Sequence, residues 1–178
     1  MTHQKSNDTG LFAFNSVQLN LVTFVDVAAA NAYQTLDGNV FMMDNCIDST
    51  HQGTDHLQTV CKQGQILNWI IFSMDAAQRP DGSFPPMARI NNIVLLNENG
   101  TDVASDPIFR ELKILGGPDK IRSKYTSVYS YWAGALLTDI PVGVYKYRFI
   151  LELPTEDPTK KNYFNLNTPS LKIIDIAG

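Results

Sequence analysis

The side chains best suited to chemistry in this chain crowd between positions 44 and 56: Asp44, Asn45, Asp48, Ser49, His51, Gln52, Asp55 and His56. Oxygen ligands at such short spacing suit Ca²⁺, which takes roughly 6–8 of them. Their order does not follow the D-x-[DN]-x-[DN]-G run of a calcium loop. The ordinary use of Asp, Asn and Ser at this density is in turns, where side chains bond their own backbone, and that structural use is expected here. His51 and His56 with Asp55 offer the beginnings of a transition-metal site. A spacing of five on a loop fixes no geometry, and Cys61 would have to fold back as a further ligand. Solvated loop histidines are the expectation, with no metal and no cofactor. Cys46 and Cys61 read as two free thiols. A disulfide between them needs Cα atoms within ~7 Å. A cysteine nucleophile needs a base in hydrogen-bond reach, which closeness in sequence does not supply.

Other chemistry is sparse. No serine sits in a G-x-S-x-G elbow. Gly116-Gly117-Pro118 lacks the G-x-x-x-x-G-K-[ST] pattern of a phosphate loop. Glu156 and Asp157 lie in PTEDPTKK, a Pro-bounded stretch that reads as a solvated turn. Glycosidase use would need a second carboxylate across a cleft. No catalytic residue is assigned, and no enzyme is expected. Aromatics are the one recognition resource. In YTSVYSYW, Tyr125, Tyr129 and Tyr131 share one strand face, and Trp132 shares the other with Val128. One set belongs to the core; the other, if uncovered, would stack on a sugar or a partner protein. Coverage of both faces is the weightier expectation. The ligand-binding candidates are therefore Asp44, Asn45, Asp48, His51, Asp55, Tyr129 and Trp132.

The elements that must position these residues are strands. Val17–Asp26, VQLNLVTFVD, alternates with period two, and Val22 and Phe24 on its second face suggest partial cover on both sides. Ala28–Tyr33 is a short helix former. Asn39–Met43 is a strand after the Asp37-Gly38 turn. Leu57–Cys61 and Ile66–Met74 read as a hairpin across Lys62–Gln65. Ile90–Leu96 ends at Asn97-Glu98-Asn99-Gly100. Ile108–Leu115 reads as a strand or a short helix, and Tyr125–Trp132 as β. Val144–Leu153, VYKYRFILEL, alternates most cleanly and belongs at the centre of a sheet. Leu171–Ile176 closes the chain. No alternating βαβ pattern and no repeat is present. The fold expected is all-β: a two-sheet antiparallel β-sandwich, Ig-like or jelly-roll-like, with at most one or two short helices. Residues 1–15 read as a flexible tail and 16–178 as one sandwich domain. At 178 residues and 44% hydrophobic composition, such a domain buries about two-thirds of its unfolded surface.

An ordered set of short features makes the chain similar to the bacterial inclusion-body protein family that includes PixA and AidA. They are Val25-Asp26-Val27, Met43-Asp44-Asn45, Ser49 with Gln52-Gly53-Thr54, Leu57 and Thr59, Gly64-Gln65 with Asn68-Trp69, and Pro141-Val142-Gly143 before the tyrosine-rich strand. The similarity spans about Val17 to Asp175. It implies a compact bacterial β-sandwich, abundant regulated expression, and in some members intracellular crystalline inclusions. It implies no enzymatic activity. Inclusion-forming members can be methionine-rich; this chain has five Met.

The net charge of −4 and pI near 5.2 argue against a general nucleic-acid binder and against electrostatic attachment to an anionic membrane. No apolar run approaches the ~18 residues of a spanning helix. The polar N-terminus has no signal-peptide core, so a cytoplasmic location is expected, with signal-independent export also open. The leading functional expectation is a non-enzymatic, self-associating protein of storage, inclusion or interaction type, most simply a homodimer. The rival is a carbohydrate- or small-ligand-binding module using exposed aromatics and the 44–55 loop.

Overall fold

A computed structural model describes residues 18–75, 77–82, 85–97, 99–102, 108–116, 130–157 and 159–176. The first strand, β1 (Gln18–Val25), buries every second residue, as its period-two pattern requires: Leu19, Leu21, Thr23 and Val25 point inward. Asp26 ends it and caps the helix α1 (Val27–Tyr33), its Oδ1 accepting the Ala29 N–H at 2.9 Å. The helix stops at Gln34, which takes a left-handed conformation. There follow β2 (Val40–Asp44), β3 (Gln58–Lys62), β4 (Ile66–Ser73), β5 (Arg89–Leu96), β6 (Phe109–Gly116), β7 (Ser130–Leu136), β8 (Gly143–Pro154), β9 (Lys161–Leu166) and β10 (Ser170–Ile174).

Two sheets pack face to face. The first runs β2-β1-β4-β7-β6; the second runs β3-β10-β8-β5, with β9 also on β8. At twelve residues, β8 is long enough to hold β5 along one side and β10 then β9 along the other. It is central, as its inward alternation Tyr145, Tyr147, Phe149, Leu151, Leu153 suggested; the last four are fully buried and Tyr145 is partly buried against the core. The sandwich with one short helix agrees with the sequence reading, and Phe109–Gly116 is a strand. The 1–15 tail lies outside the described residues, as do Tyr125 and Tyr129; the strand near them begins at Ser130.

Two pairings correct the antiparallel expectation. β1 runs parallel to β4, and β3 runs parallel to β10. Both follow from one further correction: Leu57–Cys61 and Ile66–Met74 form no hairpin. At Lys62–Gln65 the chain crosses from the second sheet to the first. Donors that a hairpin turn would direct to its own partner strand go elsewhere, Gln63 N–H to the Ile174 carbonyl at 3.2 Å and Gly64 N–H to the Leu137 carbonyl at 3.3 Å. The gain is burial. With β3 and β4 in opposite layers, Thr59 and Cys61 of one and Leu67 and Trp69 of the other all point into the interior.

Aromatic rings join the layers. Trp69 of β4 meets Phe109 of β6 edge-on at 5.4 Å and Tyr147 of β8 at 6.3 Å; Tyr147 meets Phe149 at 5.1 Å. Such geometry adds to area burial. Phe149→Ala should therefore cost about 3–5 kcal/mol in chemical denaturation. A cost below about 1 kcal/mol would mean that this column does not hold the sheets together.

Candidate functional site

The polar loop leaves β2 in the first sheet and enters β3 in the second, and its hydrogen bonds serve both strands. On the β2 side, Met42 donates to the Thr54 carbonyl at 3.1 Å and accepts from Gly53 N–H at 2.7 Å. Asp44 N–H donates to Gln52 Oε1 at 2.9 Å. On the β3 side, Thr50 and Gln58 exchange backbone bonds at 3.1 and 3.0 Å, and Val60 N–H donates to Ser49 Oγ at 2.9 Å. Lys62 N–H finds Gln65 Oε1 at 2.9 Å. Both strands end their sheets on this side, so the loop closes two edges that would otherwise present unpaired backbone groups. Left-handed conformations at His51 (φ 61°) and Gly53 (φ 78°) let it reverse between them.

Of the candidate ligands, Asp44 Oδ1 accepts from Cys46 N–H and Gln52 Nε2, both at 2.9 Å. Asn45 Oδ1 accepts Asn20 N–H at 2.8 Å. Asp48 is exposed. His51 lies beside the Thr50 hydroxyl at 3.1 Å, and Asp55 pairs with His56 at 2.6 Å. Asp44 Oδ1, Asn45 and Asp55 thus turn onto backbone and neighbours. Among the described residues, no three His, Cys, Asp or Glu side chains group as metal ligands would. Tyr129 lies outside the described residues. Trp132 stands opposite Trp69 on the inner face, and its indole N–H donates across the interlayer gap to the Ile90 carbonyl at 2.7 Å. It braces the sheets. The Glu156–Asp157 turn is a local structure: Asp157 accepts from the Thr159 hydroxyl and N–H, and these bonds, the hydroxyl's first, lower its pKa.

Sequence reasoning missed two surfaces. The first is the outer face of β2, β1 and β4. Phe24 stands between Phe41 and Phe72, and stacks on Phe72 at 5.8 Å and 27°. In the next row Val22 stands between Met43 and Ile70. Met43 is 41% exposed and the others are half-buried. No outward position on these three strands carries a charge. Val22 and Phe24 were the signal, and the cover expected over them is partial. The second is internal. Cys61 is buried, its thiol held up at about 12 by desolvation first, then by Cys46 and Asp44. Burial also pushes the Tyr147 hydroxyl up, against the opposing effect of the Trp69 indole, with Cys61 and Asp44 adding to the rise. Both cysteines are free thiols.

A family described as a domain of unknown function, DUF8788, matches residues 17–81, which hold β1 to β4 and the closing loop. No curated protein matches the chain. Among solved structures, an inclusion body protein, PixA, from Burkholderia cenocepacia J2315 superimposes with a TM-score of 0.55 at 12% identity, covering 89% of this chain and 95% of that one. The likeness is one of fold.

Burial of these titratable groups sets an alkaline limit. Cys61 ionises near 9.0 when exposed and near 12 here, so between those values the unfolded chain releases a proton that the native chain keeps. The Cys61 contribution to stability is complete below pH 9.0 and is lost as pH rises toward 12. Tyr147 acts in the same direction. The denaturation midpoint should fall between about pH 8 and pH 11, and fall less in Cys61→Ala. A flat profile over that range would contradict this burial.

Proposed function

We propose that this protein is a non-enzymatic, self-associating β-sandwich of storage, inclusion or interaction type, and that copies meet through the outer face of β1, β2 and β4. The observation that carries the reading is the uncharged apolar face centred on the Phe24–Phe72 stack. Water contact with such a face is costly, and its burial releases roughly 25 cal/mol per Å². Because the face has no charge of either sign, two copies can set it against itself without like-charge repulsion. A two-fold contact, in which the same patch serves both partners, is the commonest closed arrangement.

Edge pairing fits less well. β2 has its outward groups taken by Gly53, Thr54 and Gln52, and β3 by Ser49, Thr50 and Gln65. At the opposite end of the first sheet β6 carries Arg110, Glu111 and Lys113, with a register shift between Phe109 and Glu111. Charges and bulges of this kind discourage strand addition. The fold shared with an inclusion body protein supports the same reading without deciding it.

Light scattering over a concentration series tests the proposal. Mass should rise above the monomer by high micromolar concentration. Ile70→Glu, which puts a charge on the β4 side of the face beside Val22, should return the protein to monomer with the fold intact by circular dichroism. Ile114→Glu, on β6, should leave association unchanged. A strict monomer at every concentration would count against self-association and favour the small-ligand module.

A further inference from the structure

We propose that the interior of the sandwich holds ordered water at the level of Asp44, Trp69 and Tyr147, bound as a structural ligand between the two sheets. Among the described residues, five buried side-chain atoms have no hydrogen-bond partner: Thr23 Oγ1, Asp44 Oδ2, Thr59 Oγ1, Trp69 Nε1 and the Tyr147 hydroxyl. Thr23, Thr59, Trp69 and Tyr147 are fully buried. Folded proteins satisfy nearly all such groups, because an unmade bond in the interior forfeits the hydration given up on burial.

Asp44, Trp69 and Tyr147 share one level of the interior, and the two threonines flank it. Asp44 stands opposite Leu21, and Leu21 stands opposite Trp69, which places all three at one level of the first sheet. Thr23 is the next inward residue along β1. From the second sheet, the Tyr147 ring reaches Trp69 at 6.3 Å; the indole lies near enough to the hydroxyl to oppose its rise in pKa, but the two atoms do not reach hydrogen-bond geometry. Across β10, Thr59 stands level with Tyr145, one inward position from Tyr147 on β8.

The chemistry of the set selects the occupant. An indole N–H only donates, and a carboxylate oxygen only accepts. An anion would satisfy Trp69 and be repelled by Asp44. A metal cation would satisfy Asp44 and leave Trp69 without an acceptor. A small neutral molecule that both donates and accepts suits every member, and buried water commonly makes about three such bonds. The two threonine hydroxyls and the tyrosine hydroxyl act in either sense. The site is independent of the self-association face, which lies on the opposite side of the same sheet.

A crystal structure at atomic resolution tests the proposal on the unaltered chain. It should show water within hydrogen-bond distance of Asp44 Oδ2 and of Trp69 Nε1 or the Tyr147 hydroxyl. Direct bonding of those atoms to one another, or a dry interior at this level, would overturn it. Oxygen-17 relaxation dispersion in solution gives a second reading. Tyr147→Phe and Asp44→Leu should each lose at least one long-lived internal water, and an unchanged count in both folded variants would overturn the proposal equally.

Discussion

The fold depends on what happens to the backbone hydrogen bonds of two strands that have a neighbour on one side only. β2 ends the first sheet and β3 ends the second, and both lie at the same margin of the sandwich. One loop serves them both. Met42 is bonded to Gly53 and Thr54, Asp44 to Gln52, Val60 to Ser49, and Thr50 to Gln58. A loop this rich in Asp, Asn, Ser and Gln suits the task, since its side chains substitute for the missing strand. Asp44, Ser49 and Gln52, which help to invite a ligand-binding reading, are used in closing the sheets. Closure also fixes the parallel pairings: once the chain passes from β2 into the opposite sheet, it must return at Lys62–Gln65 to place β4 beside β1.

With that margin closed, the two faces of the first sheet take on different work. The inner face builds the core through Trp69, which is wedged against Phe109 and Tyr147. The polar groups within that core, Thr23, Asp44, Thr59 and the Tyr147 hydroxyl, interrupt what would otherwise be an apolar layer. The outer face of β1, β2 and β4 remains apolar and partly open, which is unusual for a sheet surface with no charged residue to keep it solvated. The closed β2–β3 margin, the charges on β6 and the open apolar face together support the proposal that copies pack face-on.

Much of this was legible in the residues. Period-two alternation located β1 and β8 and their inward sides, and Trp69 and Phe149 are at the core as their neighbours required. The short helix followed from its alanines; the Asp26 cap that starts it was not read from the sequence. The hairpin expected at residues 57–74 was wrong for a physical reason. A four-residue turn between two apolar strands specifies nearness in sequence, while the choice between pairing side by side and stacking across the core rests on contacts with β1 and β10 that no local pattern encodes. Trp132 was equally ambiguous. Its strand face could be read, but the Ile90 carbonyl that receives its N–H lies forty-two residues away. The loop between Asp44 and Asp55 was legible as polar turns; its partners were not, because each is a backbone group on a strand whose position depends on the whole sheet.

The central claim is that copies of this chain meet on the outer face of the β2-β1-β4 sheet and not along strand margins. Hydroxyl-radical footprinting of the unaltered protein, compared between dilute and concentrated samples, addresses it most directly. The account predicts that Met43, Phe24 and Phe72 lose reactivity on concentration while exposed Tyr163 on β9 and Ile114 on β6 keep theirs. Protection at Tyr163 or Ile114 with Met43 and Phe24 unchanged, or no concentration dependence at any of these positions, would contradict it.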